Sequence, residues 1–279
     1  MTSRHSLWKV IQPLLPPSTR TLYKLPAIHA SRELVDRPDL FNYTSGRWLF
    51  VSLKSNICDA NLLCDRYNEP LRLKERILHF NVIELNQAAA AAVGKDVASV
   101  QSFRKLAEGG FNRTFELIID GLEVIARLPY PSTYPKYYSV ASEVATMALV
   151  RSYGVPVPKI LGYSATHNNA VGAEYIIMEK VSGRDIGDIW YELSEKERLK
   201  IVVQVARVES ILFSIPLPTC GSIYFKNDLK YGTDTVDVRA GDVETRDACS
   251  GQMCIGPDVT QKWWFEKSSS LKVPRGPCE

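Results

Sequence analysis

The stretch Lys105-Leu106-Ala107-Glu108-Gly109-Gly110-Phe111-Asn112-Arg113 places two adjacent glycines between segments that alternate in strand fashion. Glycines in such a turn can adopt positive φ and carry no Cβ, so backbone N–H groups can approach phosphate oxygens. A plain hairpin turn satisfies the same residues. Fourteen residues beyond Arg113, Val124-Ile125-Ala126-Arg127 ends on a cation whose guanidinium can grip phosphate in two places, or can stand exposed on its strand. Glu143, in Ala141-Ser142-Glu143-Val144-Ala145-Thr146, is of the type that would pair with Arg127 and orient it. It is expected near the start of a helix, where the helix dipole favours a carboxylate without any partner. Ile176-Ile177-Met178-Glu179-Lys180-Val181-Ser182-Gly183 leaves an apolar strand for a glycine-containing linker, as a hinge whose backbone meets a purine edge would, or as any edge strand would.

The elements that must carry these residues follow from periodicity. Val100 to Leu106 and Arg113 to Ile119 read as strands. Asp120-Gly121 is a two-residue hairpin signal, followed by the apolar run Leu122 to Leu128. Val140 to Tyr153 reads as a helix closed by Gly154 and stopped by Pro156 and Pro158. Val155 to Tyr163 and Ala173 to Val181 read as two more strands, and Asp185 to Leu193 and Glu195 to Ile215 as helices. Upstream, a helix is expected from about Leu71, and Asn81 with Glu84 has the form of a capping box opening a helix to Gly94. The predicted class is α+β: a five-stranded antiparallel sheet with one packed helix over 99–181, followed by an incomplete helical lobe over 182–279.

In order and spacing, Lys105 to Arg113, Val124 to Pro131, Ala141 to Met147, Pro156-Val157-Pro158 and Gly172 to Gly183 resemble the kinase-like phosphotransferases, among them the aminoglycoside phosphotransferases. The closer resemblance is to a fungal branch, the altered inheritance of mitochondria proteins, which Phe41 to Leu49 and Cys254-Ile255-Gly256-Pro257 also resemble. The resemblance implies that Gly109, Gly110, Phe111 and Asn112 flank the phosphates of ATP. Arg127 and Glu143 would be the ion pair, with arginine in place of the usual lysine, and Glu179, Lys180 and Val181 the adenine hinge.

Two features depart from that pattern. Phe50 to Tyr67 is an insert holding Cys58 and Cys64 within an extension at 41–98. The family's reaction also needs an aspartate from a His-x-Asp loop and a further aspartate for Mg²⁺. The histidines are His5, His29, His79 and His167, and none begins such a motif. Ile119-Asp120-Gly121 falls in a hairpin and is read as a turn. No catalytic and no metal-binding residue is therefore assigned, and Mg²⁺ is expected only with a catalytic lobe that this chain lacks. The expectations are a truncated phosphotransferase without activity, a non-catalytic nucleotide binder or scaffold, or an inert fragment. No phosphate acceptor can be named from fold alone.

Composition narrows the rest. The chain has 279 residues, is 45% hydrophobic and has a formal charge of +3, so a packed core is expected and a dedicated nucleic-acid binder is not. No run approaches the ~20 apolar residues of a membrane span. Cys58, Cys64, Cys220, Cys249, Cys254 and Cys278 form no C-x-x-C pair, which favours reduced thiols over structural zinc. Residues 1–40 begin with a segment, Met1 to Arg32, that has no acidic side chain but has Arg4, Lys9, Arg20, Lys24 and Arg32 among many hydroxyl residues. That composition suits a mitochondrial transit peptide or a basic tail, and the resemblance favours the first.

Overall fold

The computed structural model describes residue 40 and residues 69–230, 232–241, 251–264, 266–271 and 273–278. The expected leader, the aromatic stretch at 41–49 and the insert at 50–67 lie outside the described residues, Leu40 apart.

The first helices are α1 (Glu69–Glu75) and α2 (Val82–Ala92). Asn81 caps α2, its side-chain oxygen accepting from the N–H groups of Ile83 and Glu84. The sheet follows: β1 (Val100–Glu108), β2 (Asn112–Ile119), β3 (Leu122–Pro129), β4 (Ile160–Ser164) and β5 (Tyr175–Glu179), with α3 (Lys136–Ser152) between β3 and β4. Every pairing is antiparallel and the spatial order is β1-β2-β3-β5-β4. The α+β class and the five-stranded sheet with its helix are thus as the sequence implies. Asp120 and Gly121 both have positive φ, 50° and 77°, the conformation that a two-residue turn needs to match strand twist.

Alternation along β3 decides what covers each face. Val124, Ala126 and Leu128 point to one side and pack with Phe103, Phe115, Leu117 and Ile177 against Leu85, Ala89 and Ala90 of α2 and against Leu40. Ile125 points the other way, joining Ile160, Ile176 and Met178 under Val140, Val144, Ala148 and Leu149 of α3. Helix α3 begins at Lys136, four residues earlier than its apolar pattern suggests, directly after Pro135. It ends in a turn about Gly154 (φ 86°), where the Val155 N–H donates to the Val150 carbonyl.

Other boundaries also shifted. The strand expected from Val155 begins only at Ile160, since Pro156 and Pro158 cannot donate to a ladder. The helix expected over Asp185 to Leu193 is a single turn, α4 (Ile186–Ile189). Helix α5 (Glu195–Ser214) opens with a capping box between Ser194 and Glu197 and has no buried side chain. Beyond it the chain forms a second sheet, β6 (Ser222–Phe225), β7 (Val236–Val238) and β8 (Met253–Gly256), ordered β6-β8-β7. Tyr224, Phe225, Met253, Cys254 and Ile255 share the core of α3, so this part of 182–279 packs on the first sheet's helix rather than forming helices of its own. Among the described residues, no helix is long and apolar enough to cross a membrane.

Charged pairs flank the apolar layers. At the top of the β1–β2 hairpin, Arg113 and Glu108 face each other in register, and Arg113 Nε lies 3.0 Å from Glu108 Oε1 with both side chains buried. Arg113 Nη1 donates to the Leu40 carbonyl (2.7 Å), and its guanidinium lies 5.5 Å from the Tyr130 ring centre. On the opposite face Glu116 is 2% exposed; it takes Lys180 Nζ at 2.6 Å on one oxygen and the Arg104 guanidinium on the other. Lys180 also reaches Glu123 (3.2 Å), so one ammonium joins β2, β3 and the exit of β5.

These pairs set two expectations. Removing Arg113's charge takes from buried Glu108 its in-register cation, with Lys105 still at 3.1 Å. Arg113→Met should therefore lower unfolding free energy by about 3 kcal/mol, read from urea denaturation. For Glu116, burial pushes the carboxyl pKa up, but the hydrogen bonds and charges of Lys180 and Arg104 outweigh it and hold it below its ordinary value. A depressed folded pKa contributes stability that is complete above the ordinary carboxylate range and is lost as pH falls through the folded pKa. Glu116→Gln should therefore flatten the acid limb of a stability–pH profile, leaving the slope near neutral pH unchanged. An acid limb identical to that of the unaltered protein would overturn the assignment.

Candidate functional site

The face of the sheet toward α3 carries Arg127 with its partner Glu143, and the Lys180 side chain. The register Asn112↔Pro129, Arg113↔Leu128, Thr114↔Arg127 sets Arg127 two steps from the glycine turn, about 7 Å along the strand. On its other side Arg127 faces Ile176, three residues before Glu179. The cation therefore stands in the central strand, between the turn and the exit of β5.

Arg127 and Glu143 meet. The Glu143 carboxylate pairs with Arg127 Nη2, linking β3 to α3. Burial pulls the Arg127 pKa down from its ordinary value, though a guanidinium stays charged over the whole physiological range. Glu143 is the eighth residue of α3 rather than a first-turn residue, because the helix starts at Lys136. The dipole explanation for a carboxylate there is removed, since that effect fades within the first turn.

The glycine turn differs from expectation. Neither Gly109 nor Gly110 has a positive φ. The Gly109 N–H donates to the Asn112 carbonyl at 2.9 Å and closes the turn, so it is spent inside the hairpin. What the glycines provide is space: a Cβ at Gly110 would meet nothing within 4 Å, and one at Gly109 only the Asn112 oxygen at 3.6 Å. Phe111 is exposed, and its carbonyl accepts from Tyr130 N–H and Thr133 Oγ1, both at 2.8 Å. These contacts hold the turn down on the segment after β3.

The three residues expected to form a hinge turn different ways. Glu179 turns to the segment before β4: its N–H donates to the Lys159 carbonyl, and its carboxylate accepts the Lys159 N–H, each at 2.9 Å. Lys180 sends its side chain back under the sheet to Glu116, a hydrogen bond that raises its pKa. Val181 is exposed, and no backbone hydrogen bond to its N–H is found among the described residues. Sequence reasoning missed Arg104, Glu116 and Glu123 as part of this face. The available signal was Thr114 and Glu116 at alternate positions of β2, polar where a strand buried on both faces would be apolar. Among the described residues, no group of three or more His, Cys, Asp or Glu side chains could hold a metal ion. Cys220, Cys254 and Cys278 are free thiols.

No protein-family profile matches the chain. A subtelomeric hrmA-associated cluster protein of Aspergillus fumigatus is 40% identical over 176 residues, which are 62% of this chain and 32% of that protein. The mitochondrial altered inheritance of mitochondria protein 9 of Candida albicans is 26% identical over 83% of this chain and 40% of its own length. Its Saccharomyces cerevisiae counterpart is 30% identical over 66% of this chain and 32% of its own length. The chain thus spans about a third of the curated relatives it matches. A putative aminoglycoside phosphotransferase of Ralstonia eutropha is 24% identical over 38% of this chain and 29% of its own, at a TM-score of 0.31, too low to establish a shared fold. The Candida and Saccharomyces relatives are named as mitochondrial, in agreement with the localisation expected from the sequence. By these similarities the chain resembles the fungal altered inheritance of mitochondria proteins over part of their length.

Proposed function

We propose that this chain is the nucleotide-binding small lobe of a kinase-like mitochondrial phosphotransferase, and that its 279 residues bind nucleotide without turning it over. The observation that carries the reading is the Arg127–Glu143 pair, which fixes a cation on the central strand between an open glycine turn and an exposed strand exit. A carboxylate that holds a guanidinium by one nitrogen leaves its other donors for a second anion. ATP fits that arrangement: phosphates at Arg127 and beneath Gly110, the purine edge at the Glu179 carbonyl and the Val181 N–H. The nucleotide, when bound, supplies the phosphoryl group. The residues of this chain orient it, through charge at Arg127 and backbone at the two ends. Nothing in the sequence supplies a His-x-Asp loop, so no side chain here is assigned to an acceptor hydroxyl or to Mg²⁺. Without those groups the developing charge of phosphoryl transfer lacks its main stabilisation.

A scaffold role has its own supporting observation. Leu199, Val202, Val205 and Phe213 of α5 are all more than half exposed, Phe213 at 90%, so the helix presents apolar side chains that no described element covers. Such surfaces mark contact sites.

Two measurements test these readings. With ATP at about 100 times its Kd, thermal unfolding should rise by about 5–8 °C. Arg127→Ala should abolish that shift, and no Mg²⁺-dependent ATP hydrolysis above background should accompany it. Turnover, or an undiminished shift in the variant, would sink the proposal. For α5, the pair Leu199→Glu and Phe213→Glu should reduce self-association in light scattering while changing stability by no more than about 0.5 kcal/mol, because neither side chain is buried. A large loss of stability would show that the helix packs on the body.

A further inference from the structure

At the opposite end of β5 from Glu179, beside the end of β3, lies a cavity of 230 Å³. That is the room of about eight water molecules, or of a small organic molecule. Its walls include Leu78, Pro129, Pro131, Lys136, His167 and Glu174. Glu174 immediately precedes β5 and is 5% exposed. A carboxylate so far removed from water needs a compensating charge or hydrogen bonds. Among the described residues its one charged partner is His167 Nδ1, at 3.6 Å on a largely exposed side chain that is charged only when protonated. Lys136 lines the same cavity, yet no carboxylate lies within 4.0 Å of it among the described residues, Glu174 included. The cavity thus keeps a carboxylate and an ammonium apart.

The backbone around Glu174 is fixed. The Asn169 side chain donates to the Ala173 carbonyl and accepts from the Gly172 N–H, each at 2.9 Å, and Gly172 sits at φ 75°. The Asn81 N–H at the start of α2 donates to the Val171 carbonyl at 2.7 Å. A buried acidic group held by a pinned loop, with open space in front of it, is a pre-organised acceptor for a cation.

We propose that this cavity is a binding site for a small zwitterion of the amino-acid type. Its ammonium sits on Glu174, its short aliphatic body lies between Leu78 and Pro129–Pro131, and its anionic end meets Lys136. Lys136 excludes polyamines, which would place a second cation against it. A simple monoamine leaves Lys136 unanswered and binds more weakly.

The test is calorimetric titration of the full chain with glycine, 4-aminobutyrate and 6-aminohexanoate, with hexylamine and hexanoate as half-charged controls. At least one of the three amino acids should bind with a Kd of about 1 mM or tighter. Hexylamine should bind about tenfold more weakly than the best amino acid, and hexanoate weaker still. Glu174→Gln, which keeps the shape of the side chain, should abolish amine binding, and Lys136→Met should lower the amino acid to the level of hexylamine. Should Glu174→Gln fail to fold, the exposed-end variant Lys136→Met and the two half-charged controls still decide. The proposal is overturned if none of the three amino acids binds at ~20 mM, if Glu174→Gln binds as the unaltered chain does, or if hexylamine matches the best amino acid.

Discussion

The whole architecture turns on a charge that has been taken out of water. Arg113 is fully buried at the top of the β1–β2 hairpin, where an unpaired guanidinium would be untenable. It is tolerated because Glu108 faces it in register at 3.0 Å, the Leu40 carbonyl accepts from it, and Tyr130 offers its ring. Each compensation comes from a different part of the chain: the other strand, a residue 73 positions upstream, and the segment after β3. All must be in place together. The glycine turn sits directly on this clamp, so the turn inherits the rigidity of a buried ion pair without needing a special backbone conformation of its own.

That arrangement explains why the turn closes with ordinary φ values. The Gly109 N–H bonds back to Asn112, and Phe111 is tied to Tyr130 and Thr133. With the hairpin held from below and behind, positive φ is not required, and the missing Cβ atoms serve only to keep the front open. A glycine pair can therefore be selected for what it leaves empty as much as for where its backbone can go.

Much of the sheet was legible because its signals are local. Strand alternation, the Asp120-Gly121 turn and the Gly154 stop each depend on two or three neighbouring residues. The start of α3 was misplaced because Lys136, Tyr137 and Tyr138 are not an apolar run, yet the two tyrosines pack through tertiary contacts that sequence cannot display. The β6-β8-β7 sheet was missed for a similar reason: its strands are three or four residues long and two of them are far apart in sequence. At the site, Arg127 and Glu143 were readable from type and order. The clasp of Lys180 on Glu116 and Glu123 was not, because its members come from two strands and the exit of a third, and register alone brings them together.

That clasp changes how the exit of β5 should be understood. A hinge supplying only backbone groups could flex independently of the sheet. Here the Lys180 ammonium is held by Glu116 of β2 and Glu123 of β3, while Glu179 is bonded to Lys159 ahead of β4. Successive residues of one short segment are thus anchored to opposite sides of the sheet. Torsion at Val181 can proceed beyond that anchor, but Glu179 and Lys180 cannot rotate without breaking partly buried ion pairs. Motion is pushed outward, toward α4 and α5, and the face between Arg127 and the strand exit keeps its dimensions. In the proposed nucleotide site, a cation at Arg127 and a strand edge at Glu179 serve together only if the distance between them does not vary, and the two anchors supply that constancy.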